Sequence, residues 1–239
     1  MSRGPQPHIT AMIPARLGSE RLPKKNLALL HGEPLIGHAI KAAKRSAVFD
    51  RIVVNSESEI FARVARSYGV EFYHRPGHLA GSETRSDEVV YDFAQHHETD
   101  IVVWVNSIAP LQPPDEIREV VHHFVVSGLQ SLITVRDEFA HFNFRGKPFN
   151  YSSDGKFART QDLEPVQRFV YSLMMWRRRD FMKQYERDGY AVICERAGVY
   201  PVGKLSAMIV KTEEDLRLCE YILAGLNQPV KSRLSYYSE

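Results

Sequence analysis

The sequence predicts an α/β fold, a three-layer arrangement in which a mainly parallel sheet carries helices on both faces and one small excursion leaves it. Three observations support this. Up to Val135, short runs of β-type residues alternate with amphipathic segments of helix length, the pattern of βαβ units. The run IVVWVN at 101–106 is almost wholly apolar, as a central parallel strand covered on both faces must be. With 239 residues, 44% hydrophobic and 25% charged, the chain has ample material for one core of generous size.

In chain order, the apolar run 9–13 reads as a buried strand, and a loop follows over 14–26 with Gly18, Pro23 and four basic residues. Apolar residues at 35, 36, 39, 40, 43 and 47 give 34–48 one helical face. A strand is expected at 51–56, a helix at 57–68 closed by Gly69, and a short strand at 70–74. Residues 86–97 read as a helix, 101–106 as the central strand, 113–127 as a helix opened by two prolines, and 131–135 as a strand. From 136 to 178 the alternation lapses into aromatic, turn-rich chain interrupted by Glu164-Pro165, so an excursion is placed at about 137–178, returning with the apolar run 169–176. Residues 208–210 read as a last strand and 212–223 as a last helix. The expected organisation is a single domain over 1–225 and a polar tail over 226–239.

Composition narrows the function classes. Thirty-one basic against 29 acidic residues give a net charge of +2, too balanced to advertise nucleic acid as a partner. No apolar run approaches the roughly 18 residues of a membrane span, and residues 1–8 hold no apolar segment of a secretory signal. Cys194 and Cys219 stand in no metal-ligand or redox spacing, which fits a reducing, cytoplasmic setting. His96-His97 and His122-His123 are adjacent on helices, so their side chains diverge by about 100° and cannot chelate one ion together.

The segment with most chemistry is IPARLGSERLPKKN, 13–26. It leaves the first strand and offers Arg16, Arg21, Lys24 and Lys25 within ten residues. Backbone N–H groups and cations in a loop at the carboxyl end of a strand suit a phosphate-bearing ligand. The spacing is not that of a Walker loop.

This segment closely resembles the signature I-P-A-R-x-G-S-K-x-x-x-x-K-N of the CMP-acylneuraminate synthetases, the cytidylyltransferases that activate sialic acid and related acids. Its E-R-L-P also resembles the CMP-KDO synthetases. The likeness continues through FDRIVVNSESEIFARVARSYGVEFYHRPGHLAG and VNSIAPLQPPDEI. It implies a Rossmann-like nucleotidyltransferase fold and transfer of CMP from CTP to an acidic sugar of nonulosonic type, with release of pyrophosphate. It also implies a homodimer. By resemblance, Ala15, Arg16, Ser19, Lys25, Asn26, Arg75, Ser86 and Asn106 meet the nucleotide, with Arg16 and Lys25 catalytic. Gln112 falls at the substrate-binding arginine. Ser86 also suits a helix cap.

The departures matter equally. Glu20 replaces a lysine of the signature and Gln112 replaces an arginine suited to a carboxylate. Ile209 and Lys211 stand where the family's metal-binding aspartates lie. No metal ligand is therefore assigned, and Mg²⁺ is expected only as the ion carried with CTP. The departures also leave a second class open: a nucleotide- or sugar-binding relative with weak or lost catalysis.

Overall fold

The computed structural model describes residues 6–228 and Tyr236. The elements, in chain order, are β1 (Ile9–Pro14), β2 (Leu29–Leu30), β3 (Glu33–Pro34), α1 (Leu35–Ser46), β4 (Arg51–Ser56), α2 (Glu59–Ser67), β5 (Glu71–His74), α3 (Ser86–His96), β6 (Ile101–Val105), α4 (Pro114–Ser127), β7 (Ser131–Glu138), β8 (Asn143–Phe144), β9 (Lys147–Pro148), β10 (Val166–Arg177), α5 (Arg178–Asp188), β11 (Ala197–Pro201) and α6 (Glu213–Leu226). Seven strands form one sheet in the order β11-β7-β10-β6-β1-β4-β5. Strands β6, β1, β4 and β5 run parallel, β10 is antiparallel to both its neighbours, and β11 is parallel to β7.

The alternation of side chains along β1 fixes the layers. Ala11 and Ile13 bury against α1, α2 and α4 in a core with Ile36, Ile40, Phe61, Ile117 and Phe124. Met12 points to the other face, to Val90 and Phe93 of α3 and Phe181 of α5. A third cluster seats α6 on the small β2–β3 hairpin through Leu30, Leu35, Leu111, Val210 and Cys219. This is the three-layer, mostly parallel fold that the alternation predicts.

The differences have physical causes. Residues 208–210 form no strand: Val210 N donates one backbone bond to Ile108 O at 2.9 Å, and Val210 is spent in the α6 cluster. Conversely, β11 carries little strand signal, because Gly198 and Pro201 are poor strand formers confined to a sheet edge. A Cβ at Gly198 would meet the end of the Leu129 side chain, which would have to shift. Strands β7 and β10 extend past their expected ends, so the departure from the sheet spans 139–165 and contains the β8–β9 hairpin. The arginines that open α5 are less solvated than a charge run implies. Arg177 donates to Val125 O and Leu129 O at the end of α4, and Arg178 to Ala94 O near the end of α3, cations placed where helix carbonyls point outward. The expected tail lies outside the described residues except for 226–228 and Tyr236.

Candidate functional site

Parallel strands end together, so the loops that follow them share one rim. The turns after β1, β5 and β6 enclose a cleft of about 240 Å³. Its wall includes Ala15, Arg16, Ser19, Lys25, Asn26, Arg75, Ser86 and Asn106. These are all eight residues expected at the nucleotide, drawn from positions 91 residues apart in the sequence.

A polar network shapes the rim. Asn26 is buried; its Nδ2 donates to Arg16 O at 3.3 Å, and its Oδ1 accepts from Ser107 Oγ at 2.8 Å. Ser107 therefore ties the β6 turn to the loop after β1. Arg16 Nη1 donates to Gly81 O at 2.8 Å and bridges to the segment before α3. Glu57 has a larger part than its sequence context shows. Its carboxylate accepts from Leu17 N at 2.7 Å and from Arg75 Nη2 at 3.0 Å. One partly buried acid thus fixes both the basic loop and the buried guanidinium of Arg75. Both lie in the stretches FDRIVVNSESEI and VNSIAPLQPPDEI that resemble the family, but the resemblance gives neither a role, because their partners are distant in sequence.

Charge is concentrated on one side. Burial pushes the Lys25 ammonium below the ordinary lysine value, and Arg21, Arg16 and Lys211 push it further, with Asp215 opposing. Burial also lowers Arg75, against the Glu57 carboxylate. Among the described residues, Arg75 Nε has no hydrogen-bond partner, nor does Trp104 Nε1 on the same wall. A half-buried cluster of like charges is an arrangement that an anion relieves.

Two expectations need correction. Ser86 is the first residue of α3 and makes no capping bond, the N-cap being Arg85; its side chain is left to the cleft. Gln112 is not on the cleft wall. It is buried, and Nε2 donates to Ser172 Oγ at 3.2 Å, so it braces β10 from behind.

The cytidylyltransferase family profile matches residues 10–200. The chain belongs to the cytidylyltransferase family. It is 32% identical over 148 residues to N-acylneuraminate cytidylyltransferase A of Danio rerio, covering 62% of this chain and 34% of that protein. It is 37% identical over 133 residues to CMP-N,N'-diacetyllegionaminic acid synthase of Legionella pneumophila, covering 53% of this chain and 57% of that one. The matched segment thus spans about a third of the first relative and just over half of the second. In fold, the chain is similar to the solved structure of CMP:2-keto-3-deoxy-manno-octonic acid synthetase complexed with CTP. The TM-score is 0.70 at 16% identity, over 92% of this chain and 99% of that one.

At positions 209 and 211 this cytidylyltransferase has Ile and Lys, which lack the oxygen donors that Mg²⁺ requires. Among the described residues no three His, Cys, Asp or Glu side chains gather to hold an ion. Ile209 packs against the main core, and Lys211 carries a cation. Asp215, the nearby acid, is spent on its own helix. Burial pushes its carboxyl up, but bonds from Lys211 N, Thr212 N and Thr212 Oγ1 outweigh this and hold it below the usual value.

A second cavity of about 330 Å³ adjoins the cleft and shares Asn106 and Ile108 with it. Its wall adds Arg168, Phe169, Tyr171, Met208, Ile209, Lys211 and Asp215. Arg168 Nε is engaged with Glu138 Oε1 at 3.1 Å.

Proposed function

We propose that the chain transfers CMP from CTP to an acidic sugar of the nonulosonic type, releasing pyrophosphate. The observation that carries this reading is the convergence of Arg16, Lys25, Asn26, Arg75 and Asn106 on one cleft at the carboxyl ends of β1, β5 and β6, in a chain of this family. The triphosphate lies along the loop after β1, where Arg16 and Lys25 offset its charge. The base lies toward Arg75 and Ser86. The acceptor occupies the second cavity, its hydroxyl directed across Asn106. A bond forms from that hydroxyl oxygen to the α-phosphorus as the bond from the α-phosphorus to the bridging oxygen breaks; pyrophosphate leaves with the electron pair, and the hydroxyl's proton passes to solvent water. The protein's part is positioning and stabilising charge. No step is assigned to a protein-held metal.

The second reading, a nucleotide-binding relative without turnover, draws on the missing oxygen donors at 209 and 211. Pyrophosphate release in the presence of CTP, Mg²⁺ and a panel of nonulosonic acids and KDO separates the two. Release with at least one acid supports the transferase; CTP binding without release with any of them overturns it. Self-association into a homodimer is part of the proposal. The excursion offers Phe139, Phe144, Phe149 and Phe157, each more than half exposed, and an apolar surface of that kind favours a partner. Sedimentation velocity giving a monomer at all concentrations would refute it.

A further inference from the structure

Among the described residues, five other than glycine have positive φ: Lys24, His31, Ala47, Arg145 and Tyr171. The first four lie in turns or at a helix end. Tyr171, at φ 59°, lies inside a strand, β10. A left-handed backbone is costly for a bulky side chain and persists only where its surroundings over-determine it. Here they do. Pairing with β7 jumps from Phe169↔Val135 to Met174↔Ile133, so four residues, 170–173, stand opposite Thr134 alone. Asn106 Nδ2 donates to Tyr171 O and Asn106 N to Ser172 O, each at 3.0 Å. Ser172 is fully buried, with its hydroxyl held by Gln112 and Thr134, and Leu173 N donates to Thr134 Oγ1 at 3.0 Å.

The product of this bracing is a ring in the open. Tyr171 and Phe169 are 45% and 42% exposed, stack with centroids 5.6 Å apart at 18°, and both line the second cavity. No chain reversal calls for the strain, and neither ring is buried in the core. Around the pair stand Arg168 and Lys211, and Lys211 makes no ion pair among the described residues. A stacked aromatic wall beside cations fits a cyclic molecule with an apolar face and a carboxylate.

Resting on the acceptor reading above, we infer that Tyr171 is the specificity-determining residue of the second cavity. With Phe169 it forms the wall on which the C–H face of an acidic sugar ring lies, and the Gln112–Ser172–Thr134 brace holds that wall in place. The strain is the consequence of presenting this ring at a bulge rather than turning it along the strand.

The test compares the wild type with Tyr171→Phe, Tyr171→Gly and Tyr171→Asn. Acid binding is read without nucleotide, by saturation-transfer NMR on the panel of nonulosonic acids and KDO, and CTP affinity separately by calorimetry. The expected result is saturation of ring C–H protons in the wild type and Tyr171→Phe, and acid affinity about 10–100-fold weaker in Tyr171→Gly. CTP affinity should stay within about twofold in every variant, and Tm should rise by about 2–4 °C in Tyr171→Gly as the strain is released. Asparagine tolerates the left-handed region, so Tyr171→Asn decides the matter if the glycine variant fails to fold. Equal acid affinity with and without the ring overturns the inference. So does a loss in Tyr171→Phe as large as in Tyr171→Gly, or the absence of binding by any acid to the wild type. Failure of CTP to bind the wild type strikes the nucleotide reading instead, and the acid measurement still decides the role of the ring.

Discussion

At Lys25, burial and three neighbouring cations all oppose the ammonium, so a bound triphosphate favours the protonated form that they disfavour. Sign follows from linkage: the unfolded chain binds more protons at this site than the folded one, so stability rises with pH through the window below the ordinary lysine value. CTP reverses the bias, so within the alkaline window below the ordinary lysine value, where the terminal phosphate is already ionised, binding should be accompanied by proton uptake. Calorimetry in buffers of differing ionisation enthalpy measures it, and Lys25→Met should abolish it. Lys25→Ala should weaken CTP binding by about 1–3 kcal/mol, the range for a charge-assisted contact, with equal affinities in the two proteins as the contrary result. Glu57→Ala leaves the buried Arg75 guanidinium without its partner and frees Leu17 N, and it should lower stability by about 3 kcal/mol in denaturant unfolding. Arg16, Lys25 and Asn26 are legible in the sequence because they sit together in a loop behind a recognisable strand. Glu57 is not, since its importance comes from contacts 40 residues upstream and 18 downstream. Gln112 is misread for the same reason: position relative to a motif says where a residue is, and only packing shows what its amide touches.

Among the elements, α1 to α4 are read to within two residues at each end, whereas α6 runs three residues past its expected end; helix ends have identifiable causes. Thr212 and Asp215 form a reciprocal capping box at the start of α6, and the same carboxylate holds Lys211 N. Thr212→Ala should therefore cost about 1 kcal/mol of stability, read as a shift in urea midpoint at constant slope. In α1, Gly37 has a different reason to be small. A Cβ there would fall 2.6 Å from Tyr68 Cζ, while the Tyr68 hydroxyl donates to Glu33. Gly37→Ala should destabilise by about 1–3 kcal/mol despite its better helix propensity, and a gain in Tm would contradict this. Strands are legible where they are buried on both faces, as β1 and β6 are. They fail at β11, whose Gly198 and Pro201 hide an edge strand, and at 208–210, where an apolar triplet serves a helix cluster. Local pattern carries no trace of the β10 bulge, because its cause is a set of bonds from β6, β7 and the turn before α4.

For the molecule as a whole, a near-neutral charge conceals a strongly basic cleft, so composition excludes partners better than it names a ligand. The three layers follow from alternation and length; the antiparallel position of β10 in mid-sheet does not, since it depends on which strands the excursion brings together. The order of the sheet also bears on how the chain is made. Strand β1 leaves the ribosome before its partners yet belongs between them, β4 on one side and β6 on the other: Thr10 pairs with Arg51 and with Val102. At about 5–20 residues per second, its second neighbour follows on the order of 5–20 s later. Through that interval a nascent chain carries an apolar strand with one open flank, and β6 then waits in turn for β10. The protein's most buried strand is thus, during synthesis, its most exposed to capture by a chaperone or by a neighbouring chain on the same message.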